Sequence, residues 1–544
     1  MQFQYNSDYP GLNNLGQPSV VPEAIARNPL DFPPAQPIPC ARITTRVFHP
    51  NRNQVATVQN VLVRTMNFAP PMSSTNTLLF PGTATAVDGN ADGGSINDSF
   101  SSSGMSSSSS SDDDSMNLDD SNFPGAGNTA AFPDEGGPNE IKNAYWIQRT
   151  IREAIYGRVL FAVILQRRPR ALSAVDGAEW EVTNQHCAVK EMSWQHIRKE
   201  RERLAEDPIK EVSAMQYIQK WYQQRTFVAA AAILQQQQSL DAMLLLQQQQ
   251  QLQLQRSSDA NVDESFAAMQ ATNIMMPLDL LSDERNLYSI MPYCDGGELF
   301  ERLDMNERFS EEEARYWMDQ VLNGIENLQH VGICHRDMSL ENLLVHQDGA
   351  LIIDMGMCLM VPFEDNLAST LATSFNQMNM NGAAQVNTTD NLQQQSKPQL
   401  QQLNCAPTQQ PMIVSGRQRR RCLMRPQGTC GKWIYMSPEI YQNKEPFDGY
   451  AVDMWAAGVI LFLMLTGFPP WERACQTDER FHYMTAGYLV QMLTEWEIGL
   501  SSDAMDLLQR MLFIDPKDRL SLDQVRAHPW MVNGRRAAPI GLSR

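Results

Sequence analysis

The segment His335–Gly356 constrains this chain more than any other stretch. It reads H-R-D-M-S-L-E-N-L-L-V-H-Q-D-G-A-L-I-I-D-M-G. Two carboxylates and one carboxamide, Asp337, Asn342 and Asp354, stand on either side of an apolar run whose length suits one short strand and its return. One carboxylate can orient a hydroxyl, while the amide and the second carboxylate can hold magnesium against phosphate oxygens. The three residues therefore point to phosphoryl transfer, provided that further parts of such a site occur in order along the chain.

They do occur. The order H-R-D-x-x-x-x-N followed by D-x-G resembles the catalytic and metal-binding loops of the eukaryotic protein kinases. Upstream, Cys187-Ala188-Val189-Lys190 resembles the V-A-I-K strand whose lysine contacts the nucleotide phosphates. Beyond it, Glu211 leads a helical stretch with Val212, Met215 and Ile218 on one face, where the family's helix C places the lysine's partner; Glu200, Glu202 and Glu206 are nearby alternatives. Thr150–Leu165 reads as two strands and a tight turn, similar to the glycine loop G-x-G-x-x-G-x-V. Only Gly157 and Val159 are retained there, with Arg152 and Ala154 at the first two glycine positions. Downstream, Ser437-Pro438-Glu439 resembles A-P-E, Asp453-Met-Trp-Ala-Ala-Gly458 resembles D-x-W-x-x-G, and Arg519 matches the arginine that pairs with the A-P-E glutamate. Leu-Thr-Gly-Phe-Pro-Pro-Trp471 and His528-Pro-Trp530 lean toward the calmodulin-dependent-kinase-like group.

The resemblance implies an α+β, bilobal protein-kinase fold: a small β-rich N-lobe with helix C and a larger helical C-lobe, preceded by a disordered N-terminal region. It implies ATP and Mg2+, the metal on Asn342 and Asp354, and catalysis by Asp337 with Lys190, Glu211 and Arg336. The nucleotide would lie on Gly157, Val159, Ala188, Lys190, Met291, Pro292, Cys294, Glu298 and Leu344, with Met291 guarding the pocket behind the base and the main chain of Pro292 and Cys294 bonding its edge. Serine/threonine kinases usually carry lysine two residues after the catalytic aspartate, where this chain has Ser339; Lys432 stands on the opposite wall of the family's site and is expected to supply the missing cation. Serine or threonine is the expected acceptor, with protein substrates that are basic upstream of it because Glu341 and Glu298 match arginine-receiving positions. Arg336 matches the arginine that pairs with a phosphorylated activation segment, for which Thr429 is the best-placed acceptor. The eroded glycine loop and Ser339 leave a second reading open, a pseudokinase serving as a nucleotide- or partner-binding scaffold.

Composition sets the domain limits. Residues 1–143 lack periodicity, include a Ser/Asp tract, and are expected to be disordered. The kinase domain is expected over 145–531, with the N-lobe at about 145–293 and the C-lobe at about 295–531. A glutamine-rich insert interrupts the N-lobe at about 222–268, a second insert occupies about 364–427 of the activation segment, and 532–544 form a short tail. Both inserts are candidate sites for regulatory partners. The Arg167–Gly177 stretch reads as an inserted hairpin loop, and Ser310-Glu-Glu-Glu313 as the cap of a helix ending near His330. Arg417–Arg421 reads as a solvated basic run, with nuclear import or docking as the alternative. A formal charge of −19 argues against nucleic-acid binding. The nine cysteines show no C-x-x-C spacing, and the N-terminus lacks a signal-peptide pattern. With apolar runs too short to span a bilayer, no membrane association is expected, and the location expected is intracellular, cytoplasmic and/or nuclear.

Overall fold

The computed structural model describes residues 26–65, 142–236, 262–363 and 421–538. The N-lobe is built on seven strands: β1 (Ile38–His49), β2 (Gln54–Arg64), β3 (Asn143–Ala154), β4 (Gly157–Arg167), β5 (Trp180–Ser193), β6 (Asp279–Ser282) and β7 (Asn286–Pro292). They close into a barrel in the order β1-β2-β3-β4-β5-β7-β6, in which β1 returns to pair with β6 through Ile38–Leu281 and with β5 through Val47–Trp180.

The first hairpin corrects the expectation for residues 1–143, because 26–65 are folded. Two β-branched runs flank Pro50-Asn-Arg-Asn53, and Asn53 takes a left-handed φ of 46° to close the turn, its N–H bonding the Pro50 carbonyl at 3.2 Å. Val47, Val58 and Val61 pack with Ala144, Leu165 and Trp180, while Leu62 joins the separate cluster of Tyr145, Ile164 and Ile290. A buried polar anchor fixes the register: Arg64 Nε meets Asp279 Oδ2 at 2.8 Å, and Tyr145 Oη donates to the same oxygen at 3.0 Å. The rest of the 1–143 expectation, residues 1–25 and 66–141, lies outside the described residues.

Helices complete the lobe. The stretch read as an inserted hairpin loop is instead helix α1 (Arg170–Asp176), closed by Gly177 at φ 69° and tied by Arg168 Nη1 to Asp176 Oδ1 at 2.7 Å. A short helix, α2 (Trp194–Glu200), precedes α3 (Pro208–Gln236). This helix C runs on into the stretch assigned to the glutamine-rich insert, and α4 (Val262–Thr272) resumes inside that assignment. Residues 237–261 lie outside the described residues.

The C-lobe contains α5 (Leu299–Asn306), α6 (Glu311–His330), four short strands β8 (Ile333–Cys334), β9 (Leu343–His346), β10 (Gly349–Ile352) and β11 (Leu359–Met360), and then α7 (Pro438–Gln442), α8 (Gly449–Thr466), α9 (Glu479–Tyr483), α10 (Leu489–Glu495), α11 (Ser502–Met511), α12 (Leu522–Ala527) and α13 (Pro529–Asn533). Ser310 caps α6 by accepting from the Glu313 N–H. Helix α8 is apolar all round because it is buried along its whole length within the C-lobe core, beside Trp471 and Phe481. The activation-segment insert is shorter at its C-terminal end than the sequence suggests. Within the stretch assigned to the insert, the Arg421 guanidinium pairs with Asp448 at 2.7 Å and lies over Tyr450, so this member of the basic run is packed rather than solvated. Residues 364–420 lie outside the described residues.

The buried Arg64–Asp279 pair gives a direct test of the barrel. Asp279→Ala removes the buried carboxylate that meets both the Arg64 guanidinium and the Tyr145 hydroxyl and is expected to cost roughly 3–5 kcal/mol in urea unfolding of the full chain. Arg64→Leu with Asp279→Leu is expected to recover most of that loss.

Candidate active site

The upper wall comes from β5, where Cys187 and Val189 point into the barrel and the alternation turns Ala188 and Lys190 toward the cleft. Val159 is paired with Lys190, and Ala188 with Met291, so these residues lie side by side on one sheet. Lys190 Nζ reaches Glu211 Oε2 at 2.7 Å and Oε1 at 2.9 Å. Burial alone would lower the ammonium, but Glu211, Asp354 and Glu206 outweigh it and hold Lys190 above its ordinary pKa. Burial pushes the Glu211 carboxyl up to about 7, against the pull of Lys190. Of the alternative partners, Glu206 stands 3.8 Å from Lys190, whereas Glu200 pairs with Lys199 and Glu202 is exposed.

Helix C is tied directly to the metal-loop segment. Asp207 caps α3 by accepting from the N–H groups of Ile209 (2.9 Å) and Lys210 (3.2 Å), while its own N–H donates to the Gly356 carbonyl at 3.1 Å. The D-x-G turn and the start of helix C thus move as one piece.

The lower wall hangs from Asp453 in α8, whose buried carboxylate accepts from the backbone N–H of His335 (2.7 Å) and Arg336 (2.8 Å). His335 is fully buried. Its Nδ1 accepts from the Asp337 N–H at 3.2 Å, so Nε2 carries the proton and donates to the Ile353 carbonyl at 2.9 Å. Arg336 and Asp354 are both held at φ 67°, a costly conformation for side-chain-bearing residues that the surrounding bonds must enforce. Asn342 Nδ2 donates to Asp337 Oδ2 at 2.9 Å and to the Asp337 carbonyl at 2.7 Å, which turns its Oδ1 the other way. Arg519, fully buried, pairs with Glu439 at 2.8 Å beneath this loop.

Lys432 enters from the facing segment. Its Nζ lies 2.8 Å from Ser339 Oγ, 3.4 Å from Asn342 Oδ1 and 3.8 Å from Asp337 Oδ2, and its backbone N–H donates to Asp337 Oδ1 at 3.2 Å. Burial raises the Asp337 carboxyl above the ordinary aspartate range even though Lys432 pulls it down. Burial would also raise Asp354, but Lys190 and the Gly356 N–H outweigh it and leave this carboxyl below its usual value. Arg336 donates to the Gly428 carbonyl at 3.1 Å, next to exposed Thr429, and its guanidinium lies over Phe447.

At the mouth the sequence expectations change. β3 and β4 join through a two-residue turn, Ile155-Tyr156, and the glycine-loop positions are paired strand residues: Arg152 with Val159 and Ala154 with Gly157. Gly157 is required for another reason than nucleotide contact, since a Cβ there would collide with the Glu191 carbonyl of β5. Tyr156, fully buried, bonds the Glu206 carbonyl at 2.8 Å and fastens the turn to the α2–α3 loop. Glu298 is bridged to Leu344, and its carboxylate takes Arg152 Nη1 at 2.9 Å, joining the two walls. Pro292 ends β7 opposite Cys187, and burial pushes the Cys294 thiol up to about 12. Sequence reading identified neither the Arg152–Glu298 bridge nor the roles of Glu206 and Tyr156. An arginine replacing a glycine opposite a glutamate was the available signal for the first.

The donor set suits a hard divalent cation: the depressed Asp354 carboxylate and the Asn342 amide oxygen are both oxygen ligands of the type magnesium takes. Glu206, Glu211 and Asp354 bring further oxygens within 4.8 Å of one another, a concentration of negative charge that Lys190 faces from the upper wall.

A barrel-like N-lobe with a lysine–glutamate pair, stacked on a helical C-lobe whose H-R-D and D-x-G loops converge beneath it, is the bilobal protein-kinase fold. The family model for the protein kinase domain matches residues 228–376 and 416–531. That match begins after Glu211; the N-lobe with Lys190 and Glu211 is recognised from the geometry. The chain is 26% identical over 265 residues to the serine/threonine-protein kinase SAPK2 of Oryza sativa subsp. indica, covering 49% of this chain and 61% of the relative. It is 30% identical over 269 residues to a serine/threonine-protein kinase H1 homolog of Danio rerio (48% and 49%), and 28% identical over 284 residues to the serine/threonine-protein kinase DCLK3 of Mus musculus (51% and 28%). It thus spans less than two thirds of the length of each of these relatives.

The Arg152–Glu298 bridge is partly exposed, so its coupling is small. A double-mutant cycle with Arg152→Ala and Glu298→Ala, read as the dissociation rate of a fluorescent ATP analogue, is expected to give about 0.2–1 kcal/mol.

Proposed function

We propose that this chain is a protein serine/threonine kinase that transfers the γ-phosphoryl group of ATP to a protein hydroxyl. The observation that carries the reading is the convergence of Lys190, Asp337, Asn342 and Asp354, each held by buried partners. Lys190, fixed by Glu211, is placed to hold nucleotide phosphate oxygens. Asp337, oriented by Asn342 and by the Lys432 N–H, accepts the hydrogen of the acceptor hydroxyl. Asn342 and Asp354 would hold magnesium, which when bound neutralises phosphate charge. A pseudokinase remains the second reading, favoured by one observation: the glycine-loop positions are locked in paired strands rather than free to fold over a triphosphate.

Lys432 takes the part of the lysine that Ser339 replaces. The 2.8 Å contact between its ammonium and Ser339 Oγ supports this, because a serine leaves the room that a cation from the opposite wall fills. The preference for basic peptides then rests chiefly on Glu341, whose Oε2 is buried without a hydrogen-bond partner, since Glu298 already holds Arg152. Arg336, beside Gly428, is the proposed receiver of a phosphate on Thr429, with a buried Nε that has no hydrogen-bond partner. The assignment to the calmodulin-dependent-kinase-like group stays with the sequence motifs, as do regulatory partners at the inserts. An intracellular, reducing location is supported by free buried thiols such as Cys187, Cys334 and Cys358.

Phosphotransfer from magnesium-ATP to a basic peptide tests the activity: Asp354→Asn is expected to abolish it, and a wild-type chain that binds nucleotide without turnover supports the scaffold instead. Lys432→Ala is expected to lower kcat by roughly 10- to 100-fold. Asp337 is active when charged, and its ionisation is lost as pH falls through its raised pKa. Removing the cation that pulls this pKa down should therefore move the acid limb of kcat to higher pH. On a peptide array, upstream arginine should improve turnover, and Arg152→Ala should enlarge that gain by freeing Glu298.

A further inference from the structure

Residues 26–37 lie N-terminal to the barrel and belong to neither lobe's core scaffold, yet they touch the three parts of the site that have to be aligned. Arg27 and Met424 form a parallel bridge: the Arg27 N–H donates to the Leu423 carbonyl at 3.0 Å and the Arg425 N–H to the Arg27 carbonyl at 2.8 Å. Leu30 N–H then donates to the Met360 carbonyl at 3.0 Å. Met360 follows the D-x-G turn, and Leu423 lies beyond residues 364–420, so this one segment bonds both flanks of the activation-segment insert.

It next crosses helix C. Phe32 packs edge-on against Tyr217 with ring centroids 6.1 Å apart, and the buried Ala35 N–H donates to Ser213 Oγ at 3.1 Å. Gln36 and Gln216 exchange two hydrogen bonds, the shorter at 2.9 Å. Ser213 is two residues past Glu211, and Gln216 and Tyr217 lie further along the same helix. The chain then enters β1, whose place in the barrel fixes the far end of the segment.

We propose that residues 26–37 are an intramolecular brace that positions helix C and the two activation-segment flanks for turnover. This rests on the kinase reading above. Closing a long insert costs chain entropy, and helix C, docked by its apolar face and the Lys190–Glu211 pair, is restrained further by contacts along its other faces. Backbone hydrogen bonds from a single strap to Met360, Leu423 and Ser213 restrain the insert's flanks and the helix together. The brace touches no nucleotide-facing residue, so it acts on alignment, not on nucleotide affinity. A misplacement of about 1 Å at reacting groups is enough to cost roughly a hundredfold in rate.

The test uses the full chain. Leu30→Pro removes the N–H that meets Met360, Phe32→Ala removes the ring on Tyr217, and Ser213→Ala removes the acceptor for Ala35. The combined variant is expected to lose at least about tenfold in kcat, with the KM for ATP within about threefold of wild type. Ser213→Thr, which keeps an acceptor oxygen, is expected to leave kcat near wild type. Amide hydrogen exchange of residues 209–220 and 421–425 should quicken in the combined variant while the barrel strands stay protected. Unchanged kcat, or equal losses in kcat and ATP affinity, overturns the brace. A wild-type chain without phosphotransfer defeats the kinase reading, and the exchange comparison still decides the brace: unchanged protection of helix C refutes it.

Discussion

The ion pair between Lys190 and Glu211 is the interaction on which the arrangement of the two walls depends. Neither charge is tolerable alone at that depth, so each residue's burial requires the other. The pair sets how far helix C sits from the sheet, and the Asp207–Gly356 bond carries that distance on to the D-x-G turn. Moving the helix outward would separate two buried charges and pull on the loop that bears Asp354. Helix position and metal-loop position are therefore one variable.

The lower wall solves a different problem, which is to hold polar, strained backbone in place with few local hydrogen bonds. Asp453 reaches up from the most apolar helix of the molecule to take two N–H groups of the catalytic loop. Burial raises its carboxyl to about 6, a measure of how reluctantly that environment accepts charge. The left-handed residue Arg336 is one of the two that this carboxylate braces. Strain of this kind persists because surrounding structure over-determines it.

The candidate site residues were legible because phosphoryl transfer would demand particular residue types at short spacing, and because Lys190 interrupts an apolar strand. Helix α6 was legible from its Ser310 cap and continuous periodicity. The first hairpin was overlooked although Ile43–Phe48 and Val55–Val63 are rich in β-branched residues around a Pro/Asn turn. The long polar tract that follows drew the whole region into one compositional reading. Residues 26–37 offered no pattern at all: they are held by main-chain bonds and four prolines, and neither leaves a periodic trace. Helix α1 was misread because an arginine-proline opening resembles a loop, while its stabilising Arg168–Asp176 contact spans a separation that pattern reading does not weigh. The role of Arg152 required the partner, Glu298, which lies in a different lobe.

The closed N-lobe barrel has a consequence for a chain so rich in glutamine and asparagine. Such tracts are prone to stack as extended chains on any strand that presents unpaired amides and carbonyls. Among the described residues, β3 and β6 would be those rims, and the first hairpin covers part of each by pairing β2 with β3 at Val61 and Leu62 and β1 with β6 at Ile38 and Pro39. Loss of the hairpin would lengthen the open rims available to glutamine- and asparagine-rich sequence, and so turn a solubility safeguard into a seed for aggregation.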